Sequence, residues 1–184
     1  MKKAYIFLAE GFEVIEALAA YDVFCRSGID VKTVSVDNKK QVSASNKIKV
    51  EADKLILEIK DFSDADLLYL PGGYPGYENL ANNSKVGEIV KKHYENGKLL
   101  AAICGAPTVL KKNKIGLGKK ITSHSCCKDE MSENYVYTGS PIEIDGNLIT
   151  SIGAGHTVDF AIKIAEILCG DEAVKKIKNG MELK

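Results

Sequence analysis

Short apolar runs alternate with longer segments of helical periodicity along most of the chain. Uninterrupted apolar runs are typical of strands buried on both faces of a parallel sheet, and the segments between them have the length of helices. The predicted strands are Lys3 to Ala9, Val31 to Val36, Asp66 to Leu70 and Leu99 to Cys104. The predicted helices are Glu13 to Ser27, Ser84 to Asn96 with Ser84 as its cap, one starting at Pro107, Thr157 to Leu168, and Asp171 to Lys178.

Two segments predict local antiparallel structure. Val42 to Ile59 alternates weakly, which favours a hairpin and a short strand. Ile142 to Thr150 contains Asp145-Gly146, a typical two-residue hairpin turn. With no repeat or linker, the pattern predicts one domain over residues 1–184. We expect an α/β fold with a doubly wound, mostly parallel, flavodoxin-like sheet, helices on both faces and a small β-hairpin.

Composition and charge narrow the function classes. The 184 residues are 45% hydrophobic and 27% charged, ordinary values for a globular protein. Twenty-five basic and 25 acidic side chains cancel, so neither nucleic acid nor an anionic membrane is an expected partner. The N-terminal apolar run is interrupted at Glu10, Glu13 and Glu16, too early for a secretory core. A cytoplasmic location is therefore expected.

Five cysteines in a chain of this size predict free thiols in a reducing compartment rather than a disulfide framework. Cys25 and Cys169 fall in helical segments and are interpreted as packing residues. Cys126 and Cys127 are expected to be exposed or half-buried. His-Ser-Cys-Cys is a poor zinc frame because no second ligand pair follows it, so no metal and no cofactor is predicted.

Cys104 is the candidate nucleophile. It stands where a buried strand turns into a helix, and the carboxyl ends of parallel strands are where ligands bind in such sheets. A shift of its pKa from about 8.5 to ~5.5 would make it anionic at neutral pH. Such a shift requires the thiolate to be stabilised by about 4 kcal/mol relative to the thiol. A helix dipole supplies at most ~2 kcal/mol, so further donors are required. The alternative is a small buried residue at a strand end.

Backbone amides and two acids complete the candidate site. The amides of Gly72, Gly73 and Gly105 could form an anion or oxyanion pocket, although a tight turn explains the glycines equally well. Glu13 and Glu16 are expected to share a face near the start of a helix, where acids also complement the dipole. Glu16 stands among apolar residues, so burial would raise its pKa and let it donate a hydrogen bond to sulfur.

Histidine is the remaining candidate proton carrier. His124 follows a predicted strand and could act as a base or proton shuttle, although a lone histidine is more often structural. His156 stands in a glycine-rich loop, where it could shape a pocket or cap the following helix. The cap is the favoured interpretation.

At these positions the sequence resembles the ThiJ/PfpI superfamily, in the branch of the Parkinsonism-associated protein deglycase and its bacterial relatives. The matching motifs are Ala9-Glu10-Gly11-Phe12-Glu13-Val14-Ile15-Glu16, Leu70-Pro71-Gly72-Gly73, Ala101-Ala102-Ile103-Cys104-Gly105-Ala106-Pro107 and Ile121-Thr122-Ser123-His124. The resemblance implies that Cys104 is the reactive cysteine, Glu16 its buried protonated carboxyl and His124 the nearby histidine, with Gly72 and Gly73 as oxyanion donors. It also implies a homodimer.

Two functions follow as hypotheses. The first is a cofactor-independent enzyme that attacks a small reactive aldehyde, free or on a glycated protein, through a Cys104 hemithioacetal, as in glyoxalases and deglycases. The second is an oxidative-stress sensor or redox-regulated chaperone in which Cys104 oxidises to sulfinate without turnover. Gly105 stands where protease-like relatives have histidine. His124 does not begin the His-x-Glu segment of glutamine amidotransferases, because Ser125 and Cys126 follow it. Both of those activities are therefore disfavoured.

Overall fold

The central sheet lies between two layers of helices in the computed structural model, which describes residues 1–183. The strands of the chain are β1 (Lys3–Leu8), β2 (Asp30–Ser35), β3 (Gln41–Ser43), β4 (Lys49–Glu51), β5 (Lys54–Leu55), β6 (Leu67–Leu70), β7 (Leu99–Ile103), β8 (Lys120–Ile121), β9 (Val136–Tyr137), β10 (Ile142–Asp145) and β11 (Leu148–Ser151). The α-helices are α1 (Val14–Arg26), α2 (Gly76–Asn82), α3 (Ser84–Glu95), α4 (Pro107–Lys112), α5 (Lys128–Ser132), α6 (Thr157–Cys169) and α7 (Asp171–Gly180).

Seven strands form this sheet in the order β10-β11-β7-β6-β1-β2-β5. Neighbouring strands are parallel except for the β10–β11 pair. Numbered along the chain, the five longer parallel strands have the order 2-1-3-4-5, which is that of flavodoxin-like folds. The predicted doubly wound α/β fold is confirmed. The order reverses between β1 and β6, and that edge is where such folds bind ligands.

Side chains of alternate strand residues enter two separate cores, which places helices on both faces. Ala4, Ile6 and Leu8 of β1 pack in the core that contains Phe24 of α1 and Phe160 of α6. Strand residues alternate in direction, so the intervening positions must face the other core. The sheet is therefore buried on both sides, as its continuous apolar strands indicated.

The second core lies under α2, α3, α4 and α5. It contains Tyr5 and Phe7 of β1 together with Val90 of α3, Val109 of α4 and Met131 of α5. Full burial of each such side chain stabilises the fold by about 1.5 to 3 kcal/mol. The strand ends that carry the candidate site are thus anchored from both faces.

Both predicted hairpins are present. Strands β3 and β4 form a separate antiparallel pair, and β10 and β11 pair antiparallel at the edge of the main sheet. The Asp145-Gly146 turn joins the latter, with Asp145 opposite Leu148. No helix in residues 1–183 combines the length and apolarity that crossing a membrane requires.

Several local expectations are corrected. Asn83, not Ser84, caps α3, because its side chain accepts a hydrogen bond from the N–H of Val86. Both residue types are good caps, and the chain places Ser84 inside the first turn.

Helix α2 was not predicted, because the preceding proline- and glycine-rich segment indicated a loop. The two-residue strands β8 and β9 and the short helix α5 carry too little periodicity to be recognised. Cys25 is exposed rather than packed.

Candidate active site

The turns after β1, β6 and β7 meet at the carboxyl edge of the sheet. The N–H of Glu13 donates to the carbonyl of Gly72 at 2.9 Å, and the N–H of Gly76 donates to that of Gly11 at 3.2 Å. These hydrogen bonds join the turn after β1 to the turn after β6. Cys104 follows β7, which pairs directly with β6. The segments singled out in the sequence therefore converge on one small region.

Cys104 has a left-handed backbone conformation, with φ of 63°. This conformation costs a non-glycine residue about 1 to 2 kcal/mol. Two backbone hydrogen bonds hold it: its N–H donates to the carbonyl of Ser151 at 2.9 Å, and its carbonyl accepts from the N–H of His124 at 2.8 Å. The sharp strand-to-helix turn that the small neighbouring residues predicted is present, and it lifts the thiol away from the strand.

Glu16 is fully buried in the first turn of α1, and one of its oxygens is held by the turn after β6. The N–H of Gly72 donates to Oε2 of Glu16 at 2.7 Å, while Oε1 is buried without a hydrogen-bond partner. A methyl group added at Gly72 would lie 2.8 Å from Oε2 of Glu16 and 3.1 Å from Sγ of Cys104. The carboxyl and the thiol thus border the same space, which only a residue without Cβ leaves open.

Burial raises the pKa of Glu16 from 4.5 to about 7. The N–H of Gly72 and a hydrogen bond with Cys104 act in the opposite direction, and the negative charge of Glu13 adds to the increase. The raised pKa expected for this carboxyl is confirmed. A carboxyl that titrates near neutrality can both accept and return a proton under physiological conditions.

The low pKa expected for Cys104 is wrong in direction. Burial and, after it, the negative charge of Glu16 raise the pKa of its thiol to about 12, against the opposing effect of the amides of Gly73 and Gly105. Helix α4 has only six residues, so its dipole is a small opposing contribution. Thiol and carboxyl form a coupled pair, in which the first proton leaves near neutral pH and comes from Glu16.

The amides divide into two groups. The N–H of Gly72 is occupied by Glu16, whereas those of Gly73 and Gly105 face the sulfur of Cys104. Gly73 has φ of 90°, and a Cβ there would lie 2.3 Å from the backbone nitrogen of Glu13. This close approach accounts for the second glycine of the pair.

Glu13 lies just before α1 and serves as its cap. Its Oε2 accepts the N–H of Glu16 at 2.7 Å. It therefore does not share a helix face with Glu16, as the spacing had suggested, but fixes the start of the helix that carries Glu16.

The two candidate histidines differ in the contacts that they make. The backbone of His124 is bound to Cys104, but its exposed ring contacts Cys126, with 3.0 Å between Nδ1 and Sγ. His156 occupies the cap position before α6, yet its side chain makes no capping hydrogen bond. His156 therefore stands at the predicted cap position of α6, but the capping interaction expected from its side chain is not formed.

Two tyrosines that support the site were missed. The buried hydroxyl of Tyr69 donates to the carbonyl of Glu16 at 2.9 Å and so holds the first turn of α1 from below. The ring of Tyr77 covers Gly105, where an added Cβ would lie 2.4 Å from Cδ1. A tyrosine within an otherwise apolar strand, as in Leu67 to Leu70, is the signal that could have indicated the first contact, because a buried hydroxyl needs a partner.

Residues 1–183 contain no group of three or more His, Cys, Asp or Glu side chains arranged to hold a metal ion. The reactive groups near this edge are the thiol of Cys104, the carboxyl of Glu16, the imidazole of His124 and the backbone amides.

The fold is that of a known family. A model of the DJ-1/PfpI family matches residues 2–167, and the chain belongs to that family. Its relatives include "Protein DJ-1alpha" of Drosophila melanogaster, 40% identical over 98% of this chain and 83% of the relative. Another is "Glutathione-independent glyoxalase DJR-1.2" of Caenorhabditis elegans, 33% identical over 96% of this chain and 94% of the relative.

Solved structures of the family superpose closely on the chain. The crystal structure of Drosophila melanogaster DJ-1beta has a TM-score of 0.96 and 36% identity, covering 100% of this chain and 98% of that one. "Toxoplasma gondii DJ-1, oxidized" has a TM-score of 0.91 and 30% identity, covering 98% of each chain. The family assignment inferred from the motifs is confirmed.

The close approach at Gly72 gives a first prediction. In Gly72→Ala the new Cβ would lie 2.6 Å from Cβ of Cys104, so thiol or carboxyl must shift. We expect the free energy of unfolding to fall by about 1 to 3 kcal/mol, as for other overpacked sites. The control is Gly155→Ala, where nothing lies within 4 Å of the added Cβ. Equal denaturant midpoints for the two variants would contradict the close packing.

The raised pKa of Glu16 gives a second prediction. Because it rises from 4.5 to about 7 on folding, the stability it contributes is fully present below pH 4.5 and is lost as the pH rises through 7. Relative to Glu16→Gln, the wild type should lose about 2 to 3 kcal/mol between pH 5 and pH 8. Denaturant unfolding at several pH values measures this. A difference between the two proteins that does not change with pH would show that the carboxyl titrates normally.

Proposed function

We propose that this protein is a cysteine-dependent enzyme that converts small reactive aldehydes such as methylglyoxal into hydroxy acids. The observation that carries the proposal is the shared space at Gly72, where the Cys104 thiol borders a buried carboxyl with a pKa of about 7. Membership in a family that includes a protein named as a glutathione-independent glyoxalase supports the same reaction class.

The first step is addition of the thiol to the aldehyde. The Glu16 carboxylate takes the proton of Cys104 while Sγ attacks the aldehyde carbon, so no thiolate has to accumulate beforehand. The amides of Gly73 and Gly105 are the donors available to the negative oxygen, because that of Gly72 is engaged by Glu16. Glu16 then returns the proton to this oxygen, and the product is a neutral hemithioacetal.

The second step moves a hydrogen between the two carbons of the substrate. A base removes the proton from the former aldehyde carbon, an enediol forms, and a proton returns to the neighbouring carbon. The result is a thioester of a hydroxy acid on Cys104. Water then hydrolyses the thioester, which releases the acid and restores the thiol. Methylglyoxal and water together have the atoms of lactic acid, so neither an oxidant nor a cofactor is consumed.

Proton carriers for the second step are Glu16 and His124. The Nδ1 of His124 accepts the N–H of Cys126, so the ring proton lies on Nε2, which can serve the substrate oxygen. Glu13 is assigned a supporting role at the start of α1, where its Oε2 accepts the N–H of Glu16.

The substrate proposed is a small aldehyde, or the same group attached to a glycated protein. We also propose that the chain works as a homodimer. The side chain of Ile15, next to Glu16, is 52% exposed and offers apolar surface that a second copy would cover close to the carboxyl.

Replacing the nucleophile tests the enzyme. Cys104→Ala should form no lactate from methylglyoxal above background, because the hemithioacetal cannot form. Glu16→Gln should lower kcat by about 10² to 10⁴-fold, the usual contribution of a positioned acid or base. Lactate assays with circular dichroism to confirm folding measure both effects. Cys25→Ala is the matched cysteine control and should keep full activity. Undiminished turnover in folded Cys104→Ala would exclude this mechanism.

Oxidation sensing is the second candidate function, supported by the relative whose solved structure is titled as oxidised. In that case Cys104 would be converted to sulfinate, whose oxygens could accept the amides of Gly73 and Gly105. Mild peroxide followed by peptide mass mapping tests this. The sensor requires Cys104 to gain two oxygens before the other four cysteines react. Earlier oxidation of another cysteine would reject it.

A further inference from the structure

Cys126 and Cys127 form a compact cluster with the imidazole of His124. The chain makes a short 3₁₀ turn over Ser125–Cys127 directly after this histidine. Sγ of Cys126 lies 3.0 Å from Nδ1 of His124 and 3.6 Å from Sγ of Cys127. Sγ of Cys126 is thus in contact with both the imidazole of His124 and the second thiol.

Hydrogen bonding fixes the direction of the proton in this cluster. The backbone N–H of Cys126 donates to Nδ1 of His124 at 3.3 Å, so Nδ1 carries a lone pair and the ring proton lies on Nε2. Sγ of Cys126, 3.0 Å from the same atom, is placed to share this acceptor as a second donor. This is the arrangement of a nucleophile and its general base.

Exposure distinguishes the two thiols. Cys126 is exposed, whereas Cys127 is 4% exposed and packs in the core beneath α4 and α5. The outer sulfur can therefore meet a reagent, while the inner sulfur is held in contact with it. Cys25 is also exposed, but it lies beside Tyr21 on α1 and has no imidazole as its neighbour. Exposure is common to both, but burial raises the pKa of Cys25, and of these two thiols Cys126 is the one in contact with an imidazole.

We propose that Cys126 and Cys127 form a second thiol site, distinct from Cys104, that reduces small-molecule disulfides with His124 as its base. None of its steps uses Cys104 or Glu16, and the group it shares with the proposed aldehyde reaction is the imidazole of His124.

The exchange has two balanced steps. Nδ1 of His124 takes the proton of Cys126 while Sγ attacks one sulfur of the disulfide. The bond between the two reagent sulfurs breaks, and the leaving thiolate takes the proton back from the imidazolium. Cys127 then attacks Sγ of Cys126, the second reagent thiol leaves with the proton of Cys127, and a disulfide joins the two neighbouring cysteines. The protein loses two electrons and two protons, and the reagent gains them. The two sulfurs have to approach from 3.6 Å to about 2.0 Å.

Glutathione disulfide is the probe, and full-length Cys104→Ala is the starting protein so that Cys104 cannot react. At pH 7, peptide mass mapping over time should find Cys126 modified about tenfold or more faster than Cys25, the contribution expected at the lower end for a positioned base. The final peptide should lack two hydrogens, and two equivalents of glutathione should be released. A Cys126 that reacts no faster than Cys25 overturns the proposal.

Two further variants separate the roles of the cluster. In His124→Asn the amide oxygen can still cap the turn by accepting the N–H of Cys126, but it cannot take a proton. The rate at Cys126 should then fall about tenfold or more, towards that of Cys25. In Cys127→Ala the first step should keep its rate and stop at the mixed disulfide. An unchanged rate in His124→Asn, or a mixed disulfide that persists while Cys127 is present, would refute the corresponding step.

Discussion

The candidate site depends on one constraint: a carboxyl and a thiol are buried against the same glycine and cannot both be charged. Glu16 and Cys104 border the space at Gly72, and the negative charge of Glu16 raises the pKa of the thiol. Glu16 ionises first and near neutrality, since it has the N–H of Gly72 as a close donor. The protein thereby holds a base next to a protonated nucleophile, rather than a resting thiolate. Attack and proton transfer then have to occur together.

The scaffold must also hold a strained residue. The left-handed backbone of Cys104 costs about 1 to 2 kcal/mol, which is no more than the burial of one large apolar side chain contributes. Strand β7, directly before it, is buried throughout, and both backbone groups of Cys104 are hydrogen-bonded to neighbouring segments. Two packed cores and these backbone hydrogen bonds therefore determine the position of the sulfur.

The sequence predicted the sheet well, because continuous apolar runs such as Leu99 to Ile103 have few structural alternatives. It also placed the correct turns at one edge and gave the direction of the Glu16 pKa. The sequence-based predictions failed where opposing contributions depend on how residues pack in three dimensions. The sign of the shift at Cys104 depends on burial against a six-residue helix, and the division of labour between Gly72 and Gly73 depends on which amide meets Glu16. Neither the burial of Cys104 nor the identity of the amide that binds Glu16 can be obtained from the spacing of residues along the chain.

The two thiol sites differ in the kind of base that serves them, and the difference follows from burial. At Cys104 the partner is a carboxyl, which becomes a useful base near pH 7 only because burial raises its pKa. At Cys126, which is exposed, the partner is the imidazole of His124, a kind of side chain that accepts protons in catalysis without burial. Because the backbone N–H of His124 is bound to the carbonyl of Cys104 while its ring meets Cys126, one residue connects both sites structurally. Substitutions at His124 therefore have to be interpreted at both sulfurs.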